Sequence, residues 1–123
     1  MKLSAFVAIA AVIGGSYSWG ATAVSASEWE ASCGVSRSNL YQCRVIKGDA
    51  IFKGIQGWLH TYVLPDGRRY QFFYDSRSSQ CIYVDTYLKT DSGDWFSVTP
   101  SCTSDGYISF QLPSGNIAFL TEY

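Results

Sequence analysis

The sequence predicts an all-β protein, with about eight strands in a small antiparallel barrel or a compact sandwich, tied by two disulfides and preceded by a signal peptide. Three observations support this fold class. No window of the chain places apolar residues at helical spacing between helix-capping residues. Gly, Asp, Ser and Pro recur at the roughly 8 to 12-residue spacing that is typical of turns between short strands. Four cysteines in 123 residues form an even set, which suits two disulfides in a small secreted domain.

The N-terminal region has the pattern of a secretory signal peptide. Lys2 precedes a run of largely apolar residues over positions 3–13, and small residues then lead to Ala26. We predict cleavage after Ala26, with Ala23 as the second choice, so that residues 1–26 are removed and residues 27–123 form a single secreted all-β domain. This apolar run is about half of what a membrane-spanning helix needs, so no permanent membrane span is expected. The predicted localisation is therefore secreted or periplasmic.

Charge and composition exclude several classes of function. Lys2 is the one basic residue of the signal peptide, so the remaining domain carries 8 Lys and Arg against 10 Asp and Glu. A nucleic-acid partner is not expected, because the domain has no excess of positive charge to neutralise phosphates. The chain has no phosphate-binding or dinucleotide-binding glycine motif, and no cofactor is predicted. With 47% hydrophobic residues, the chain is apolar enough to form a packed core.

The four cysteines are predicted to pair after export to an oxidising compartment. A metal site is disfavoured because the chain has no Cys-x-x-Cys pair and a single histidine. A hairpin centred on Ser38 places Cys33 directly opposite Cys43. A second hairpin, with a four-residue loop between Lys89 and Asp94, places Cys81 opposite Cys102. The predicted disulfides are Cys33–Cys43 and Cys81–Cys102.

Turn sequences divide the domain into strands. Two Leu-Pro-x-Gly sequences, at 64–67 and 112–115, predict three-residue hairpin turns in which glycine takes a positive φ. Centring the second turn on Ser114 pairs Phe110 with Ala118 on the predicted inner face. The predicted strands cover residues 33–36, 40–46, 50–53, 56–64, 68–75, 80–89, 94–99, 106–112 and 116–122, of which the shortest two are marginal.

The hairpin around Asp66 has one face that is almost wholly aromatic. Centring its turn on Asp66 places Tyr62 opposite Tyr70. The residues on this face are Trp58, His60, Tyr62, Tyr70, Phe72 and Tyr74. Two interpretations are open: the face is the core of the barrel, or it is an exposed platform that stacks on a sugar or a peptide. Arg69 and Gln71 on the opposite face favour the core.

No catalytic residue is predicted. His60 is the single imidazole of the chain, and we favour a histidine packed among rings over a general base or a ligand contact. Asp85 differs from most of the aspartates because it is predicted to lie within a strand rather than in a turn. A small hydrolase using Asp85 is the least favoured function. Trp95 is a second candidate contact, because either Trp95 or Phe96 must face outward from their strand.

Aromatic side chains without catalytic groups predict a binding protein rather than an enzyme. We expect a secreted, non-enzymatic β module that binds a protein or a carbohydrate through surface aromatics. The candidate binding residues are Trp58, His60, Tyr62, Tyr70, Tyr74 and Trp95.

The format of the chain resembles that of the bacterial lysozyme-inhibitor proteins, which are small periplasmic barrels. The resemblance lies in the size, the export signal, the disulfide-tied antiparallel domain and Tyr-Gln-Cys at 41–43. Those inhibitors carry Ser-Gly-x-x-Tyr in an exposed loop, whereas here Ser-Gly at 92–93 is followed by Asp-Trp and Ser-Gly at 114–115 by Asn-Ile. The resemblance concerns format alone, and it suggests an inhibitor of an envelope-directed hydrolase such as lysozyme as the alternative function.

Overall fold

The computed structural model describes residues 27–123, and the signal peptide predicted for residues 1–26 lies outside the described residues. The described chain is all-β, as predicted, and it contains no helix. Its strands are β1 (Ser27–Ser36), β2 (Asn39–Phe52), β3 (Ile55–Val63), β4 (Arg69–Asp75), β5 (Tyr87–Lys89), β6 (Trp95–Ser97), β7 (Thr99–Cys102), β8 (Tyr107–Gln111) and β9 (Ile117–Glu122).

The nine strands form one antiparallel sheet that curls into a nearly closed barrel. Their order is β6-β5-β4-β3-β2-β1-β9-β8-β7. The two edge strands, β6 and β7, follow each other in the chain, so the segment that pairs with β5 continues directly into the segment that pairs with β8. Buried Val98 joins them, and its carbonyl accepts a hydrogen bond from Thr86 Oγ1 at 2.6 Å. Of the two predicted architectures, the barrel is the one found.

The core lies inside the barrel and is largely aromatic. Alternation along each strand turns every second side chain inward. Phe72 of β4 contacts Phe110 of β8 with ring centroids 4.5 Å apart, and Tyr70 stacks on Phe119 of β9 at 4.4 Å. Each fully buried ring of this size contributes about 1.5 to 3 kcal/mol relative to an exposed one.

A smaller group of rings, the outer aromatic cluster, lies on the outside of the barrel wall. It consists of Phe52, Phe73, Tyr87 and Trp95. Phe73 is completely buried although it points away from the core. Phe52, the last residue of β2, covers it at 5.4 Å and also contacts Trp95 at 4.7 Å. The end of β2 therefore packs on the outer surface of the neighbouring strands.

The register predicted for the β3–β4 hairpin is confirmed. Tyr62 pairs with Tyr70 and Trp58 pairs with Tyr74. The Leu-Pro-Asp-Gly sequence forms the turn, in which Gly67 has a φ of 93° and its N–H donates to the carbonyl of Leu64 at 2.9 Å. A positive φ at this position is the conformation that glycine adopts without steric cost.

The register predicted for the first hairpin is wrong, although its disulfide is confirmed. Cys33 lies opposite Tyr41, not opposite Cys43, because the turn is two residues long and Val35 is an extra residue in β1. The two shifts together move the pairing by two positions. A slip of two keeps the same side chains on the inner face, so the sulfurs remain neighbours across a Cα–Cα distance of 5.9 Å.

The predicted strand over residues 80–89 is also wrong, since β5 covers only Tyr87–Lys89. The Asp75 carboxylate accepts hydrogen bonds from the Arg77 backbone N–H at 2.8 Å and from its guanidinium at 2.6 Å, and these bonds turn the chain directly after β4. Cys81 lies in a tight turn with a φ of 68°. The Cys81–Cys102 disulfide is nevertheless confirmed, with a Cα–Cα distance of 5.6 Å, and it ties this loop to β7.

Two further registers differ from the prediction by one residue. Lys89 pairs with Trp95 rather than with Asp94, so the loop between β5 and β6 is one residue longer than expected. In the last hairpin Phe110 pairs with Phe119, because Ala118 is an extra residue in β9. The single-residue shift replaces a small side chain on the inner face by an aromatic ring.

Gly57 is predicted to be the glycine at which a side chain is least tolerated in the barrel wall. A Cβ there would overlap the carbonyl oxygen of Tyr74 and approach Phe73 Cζ to 2.8 Å, whereas a Cβ on Gly48 would have no atom within 4 Å. We expect Gly57→Ala to lower the free energy of unfolding by about 2 kcal/mol or more. Urea denaturation of Gly57→Ala beside Gly48→Ala checks this, and equal stability of the two variants would contradict the close packing of β3 on β4.

Candidate functional site

One end of the barrel opens into a cavity of about 550 Å³, which we call the mouth cavity. Residues of β1 to β4 form half of its wall, and the loop over residues 76–86, Ile108 of β8 and the end of the chain complete it. The rings that line it are Trp29, Trp58, His60, Tyr62, Tyr74, Tyr83 and Tyr123. Its volume falls within the range of about 300 to 1,000 Å³ in which proteins hold small molecules.

Alternation along β3 explains why the cavity has an aromatic wall. Trp58, His60 and Tyr62 are spaced two residues apart, so all three point inward. Tyr62 is buried and forms the floor, where the packed core begins, whereas Trp58 is half-buried nearer the opening. The inward face of β3 therefore contributes to the core at Tyr62 and to the cavity wall at Trp58.

His60 lies in this wall between two tyrosine hydroxyls. Its Nδ1 is 3.2 Å from Tyr62 Oη, and its Nε2 is 3.0 Å from Tyr74 Oη. Burial, and to a smaller extent the positive charge of Lys47, lower the pKa of His60 to about 4. The imidazole is therefore neutral at pH 7, with one nitrogen donating and the other accepting a hydrogen bond.

The tyrosines around His60 are neutral as well. Burial raises the pKa of Tyr74 to about 12, and the same effect raises the pKa of Tyr62 and of Tyr83. Their hydroxyls remain protonated at physiological pH, so they both donate and accept hydrogen bonds. The inner part of the mouth cavity therefore offers neutral hydrogen-bonding groups, the tyrosine hydroxyls and His60, and no charged one.

Two charged side chains line the cavity. Lys47 of β2 holds its Nζ 4.6 Å from the centroid of the Trp58 ring. Glu122 at the end of β9 uses Oε1 to accept the backbone N–H of Ser32 at 2.7 Å. The carboxylate is thereby engaged with β1, whereas the ammonium lies on an aromatic face.

The structure brings together four of the six predicted binding residues. Trp58, His60, Tyr62 and Tyr74 line the mouth cavity. Tyr70 does not, because it is buried in the core beneath Phe119. Trp95 belongs to the outer aromatic cluster on the other side of the wall. The aromatic face of the hairpin is thus neither all core nor an open platform: it is core at the floor and cavity wall at the mouth.

Other cavity residues were missed by the sequence reasoning. Trp29 lies in the part of β1 that was not predicted as a strand, although Trp-x-Ala-x-Cys over 29–33 has the alternation of an inward face. Lys47 continues the inward series of Cys43 and Val45 on β2. Tyr83 reaches the cavity from a loop, and no signal in the sequence indicates that.

Asp85 lies outside the cavity wall. It is exposed, has a φ of 46° and accepts a hydrogen bond from Arg77 Nη2 at 3.1 Å, so its predicted position within a strand is wrong. The neighbouring carboxylate, Asp75, binds the same arginine, and the hydrogen bonds from Arg77 hold the pKa of Asp75 at about 2. A carboxyl group with so low a pKa is a poor general acid.

Comparison of the chain with protein-family models, with curated proteins and with solved structures found no match. Within residues 27–123, no helix is long and apolar enough to cross a membrane. The same residues contain no group of three or more His, Cys, Asp or Glu side chains that could hold a metal ion. The feature of the described residues that points to a function is therefore the mouth cavity.

We predict that the single histidine titrates near pH 4 in the folded protein. Because the pKa of His60 is lowered from 6.5, the unfolded chain binds a proton that the folded protein does not, and stability is lost as the pH falls from about 6.5 to 4. The full loss attributable to His60, reached below the folded pKa, is about 3 to 4 kcal/mol. An NMR titration of the imidazole resonances measures its pKa directly.

The His60→Gln variant isolates this contribution from that of the carboxylates. The stability difference between the protein and the variant is expected to shrink between pH 7 and pH 4 in urea denaturation. An imidazole that titrates near 6.5, together with a difference that does not change with pH, would contradict the buried position of His60.

Proposed function

We propose that this protein is a secreted, non-enzymatic binding module whose mouth cavity takes a small carbohydrate. The observation that carries the proposal is an open cavity of about 550 Å³ walled by aromatic rings at the end of a rigid barrel. Ligand sites in barrels commonly occupy the mouth. The predicted signal peptide and two disulfides, which persist in oxidising compartments, support secretion.

The chemistry of the wall suits a sugar. Trp29 and Trp58 line the cavity, and aromatic rings of this kind stack on the C–H face of a pyranose ring. Ser79 and Gln80 on the loop of residues 76–86 offer polar atoms to its hydroxyls. A pocket that combines apolar surface with a few placed polar groups is the usual arrangement for a small-molecule ligand.

The residues around the cavity do not suggest catalysis. All four cysteines are in disulfides. Both ring nitrogens of His60 are within hydrogen-bonding distance of tyrosine hydroxyls. Glycoside hydrolysis commonly uses a pair of carboxyl groups on either side of the bond, and Glu122 is the one carboxylate side chain among the described residues that line the cavity. Binding without turnover is the activity that these groups support.

Sugar binding is expected to depend on Trp58. In isothermal titration calorimetry with a panel of monosaccharides and disaccharides, we expect at least one ligand to bind. Trp58→Ala is expected to weaken that binding roughly tenfold, because one stacking contact is removed.

Trp95→Ala is the matched control, since it removes the same side chain from the outer aromatic cluster. The Trp95→Ala variant is expected to bind the sugar with the affinity of the unaltered protein. Thermal unfolding confirms that both variants are folded. A panel without any binding, or equal loss in the two variants, would refute the proposal.

A second candidate function is inhibition of an envelope-directed hydrolase, and one observation favours it. Ile82 is 69% exposed on a loop that the Cys81–Cys102 disulfide and Arg77 hold in place. An apolar side chain on a pre-organised loop is suited to enter a cleft of a protein partner.

On this hypothesis the unaltered protein is expected to inhibit lysozyme, and Ile82→Asp is expected to lose the inhibition. The matched control is Ile51→Asp, because Ile51 is 75% exposed near the end of β2, beside the turn that leads to β3. A lysozyme activity assay with each protein checks this. No inhibition by the unaltered protein, or equal inhibition by both variants, would eliminate this candidate.

A further inference from the structure

Lys47 occupies a position inside the barrel. In the sheet it pairs with Ser27 of β1 on one side and with His60 of β3 on the other. The inward residues that precede it on β2, Cys43 and Val45, are fully buried. Lys47 occupies the next inward position after Val45, so its ammonium faces the mouth cavity and not the outer surface of the barrel.

The charge of Lys47 has no carboxylate partner in the described part of the chain. Its Nζ lies on the face of Trp58, and no carboxylate of residues 27–123 is within 4.0 Å of it. Glu122 is held by the backbone of β1. Asp49, two residues further along the same face of β2, is exposed and does not pair with the ammonium.

The surface arginines contrast with Lys47. Four of them form ion pairs with carboxylates at 2.6 to 3.3 Å. These are Arg37, Arg44, Arg68 and Arg77. The charge of Lys47 also acts within the cavity, because it contributes to the lowered pKa of His60. The cavity thus presents an unpaired positive charge beside rings that are suited to stacking.

We propose that the preferred ligand of the mouth cavity is an acidic sugar, whose carboxylate accepts a hydrogen bond from the Lys47 ammonium. The inference rests on the carbohydrate binding proposed above and adds the charge of the ligand to it. Charge-assisted hydrogen bonds are roughly twice as strong as neutral ones, and an ammonium offers three donors to a carboxylate. The sugar ring then lies against Trp29, beside the ammonium that covers one face of Trp58.

A cationic ligand is the main alternative for a cavity of this composition. Aromatic cages bind quaternary ammonium groups through the faces of their rings. Here, however, Lys47 already lies over Trp58, so a second cation would meet a like charge at that face. The geometry therefore favours an anion.

The test compares D-glucuronic acid and D-galacturonic acid with their uncharged amides, which have nearly the same shape. Calorimetric titrations use the full domain, Lys47→Met and Lys53→Met. Lys53 is the matched control because its Nζ lies 4.7 Å over the ring of Tyr87, a similar contact on the outside of the barrel. Thermal unfolding confirms that both variants are folded.

The unaltered protein and Lys53→Met are expected to bind at least one of the acids roughly tenfold more tightly than its amide. In Lys47→Met that preference is expected to disappear. Equal binding of acid and amide by the unaltered protein, or a preference that survives in Lys47→Met, would overturn the inference about charge and leave the carbohydrate proposal standing. Tighter binding of choline than of any sugar, or no binding of any sugar, would overturn both.

Discussion

The barrel depends on aromatic packing between strands that share no hydrogen-bonded ladder. Phe72 of β4 meets Phe110 of β8, and Tyr70 meets Phe119 of β9, across the interior. These contacts fill the space between the opposite walls with closely packed rings. The cavity arises where they cease. β1 pairs with β9 only at Cys33 and Gly34 and continues to Ser27, so the ladder is not continuous at this end of the barrel, where the cavity lies among rings such as Trp58.

Local turn chemistry made much of the fold predictable from the sequence. The Leu-Pro-Asp-Gly turn set the register of β3 and β4. Both disulfides joined the predicted cysteines, although the strand registers from which they were predicted are wrong. Bulges were not predictable, because a single extra residue such as Val35 or Ala118 costs little locally and is decided by packing with other strands. The loop after β4 was missed for a related reason: hydrogen bonds around Asp75 outweighed the strand propensity of the residues that follow.

The candidate site was predictable to the extent that it lies on one hairpin. Alternation places Trp58, His60 and Tyr74 on a common face, and this follows from the turn alone. The rest of the cavity wall comes from strands and a loop that are distant from this hairpin in the chain. Which of their residues reach the cavity depends on how the sheet closes into the barrel. Lys47 illustrates the difference, since its inward direction could be inferred from Val45 but its contact with Trp58 required the barrel.

The junction of β6 and β7 affects how readily one copy of the protein adds to the sheet of another at high concentration. An open sheet exposes unpaired backbone groups along two full strands, onto which other chains can add. Here the two end strands of the sheet, β6 and β7, have only 3 and 4 residues and lie within one bent stretch of chain. Pro100 removes one N–H from the second segment, and buried Val98 anchors the bend between them. Such short and interrupted end strands are poor templates for the addition of another chain.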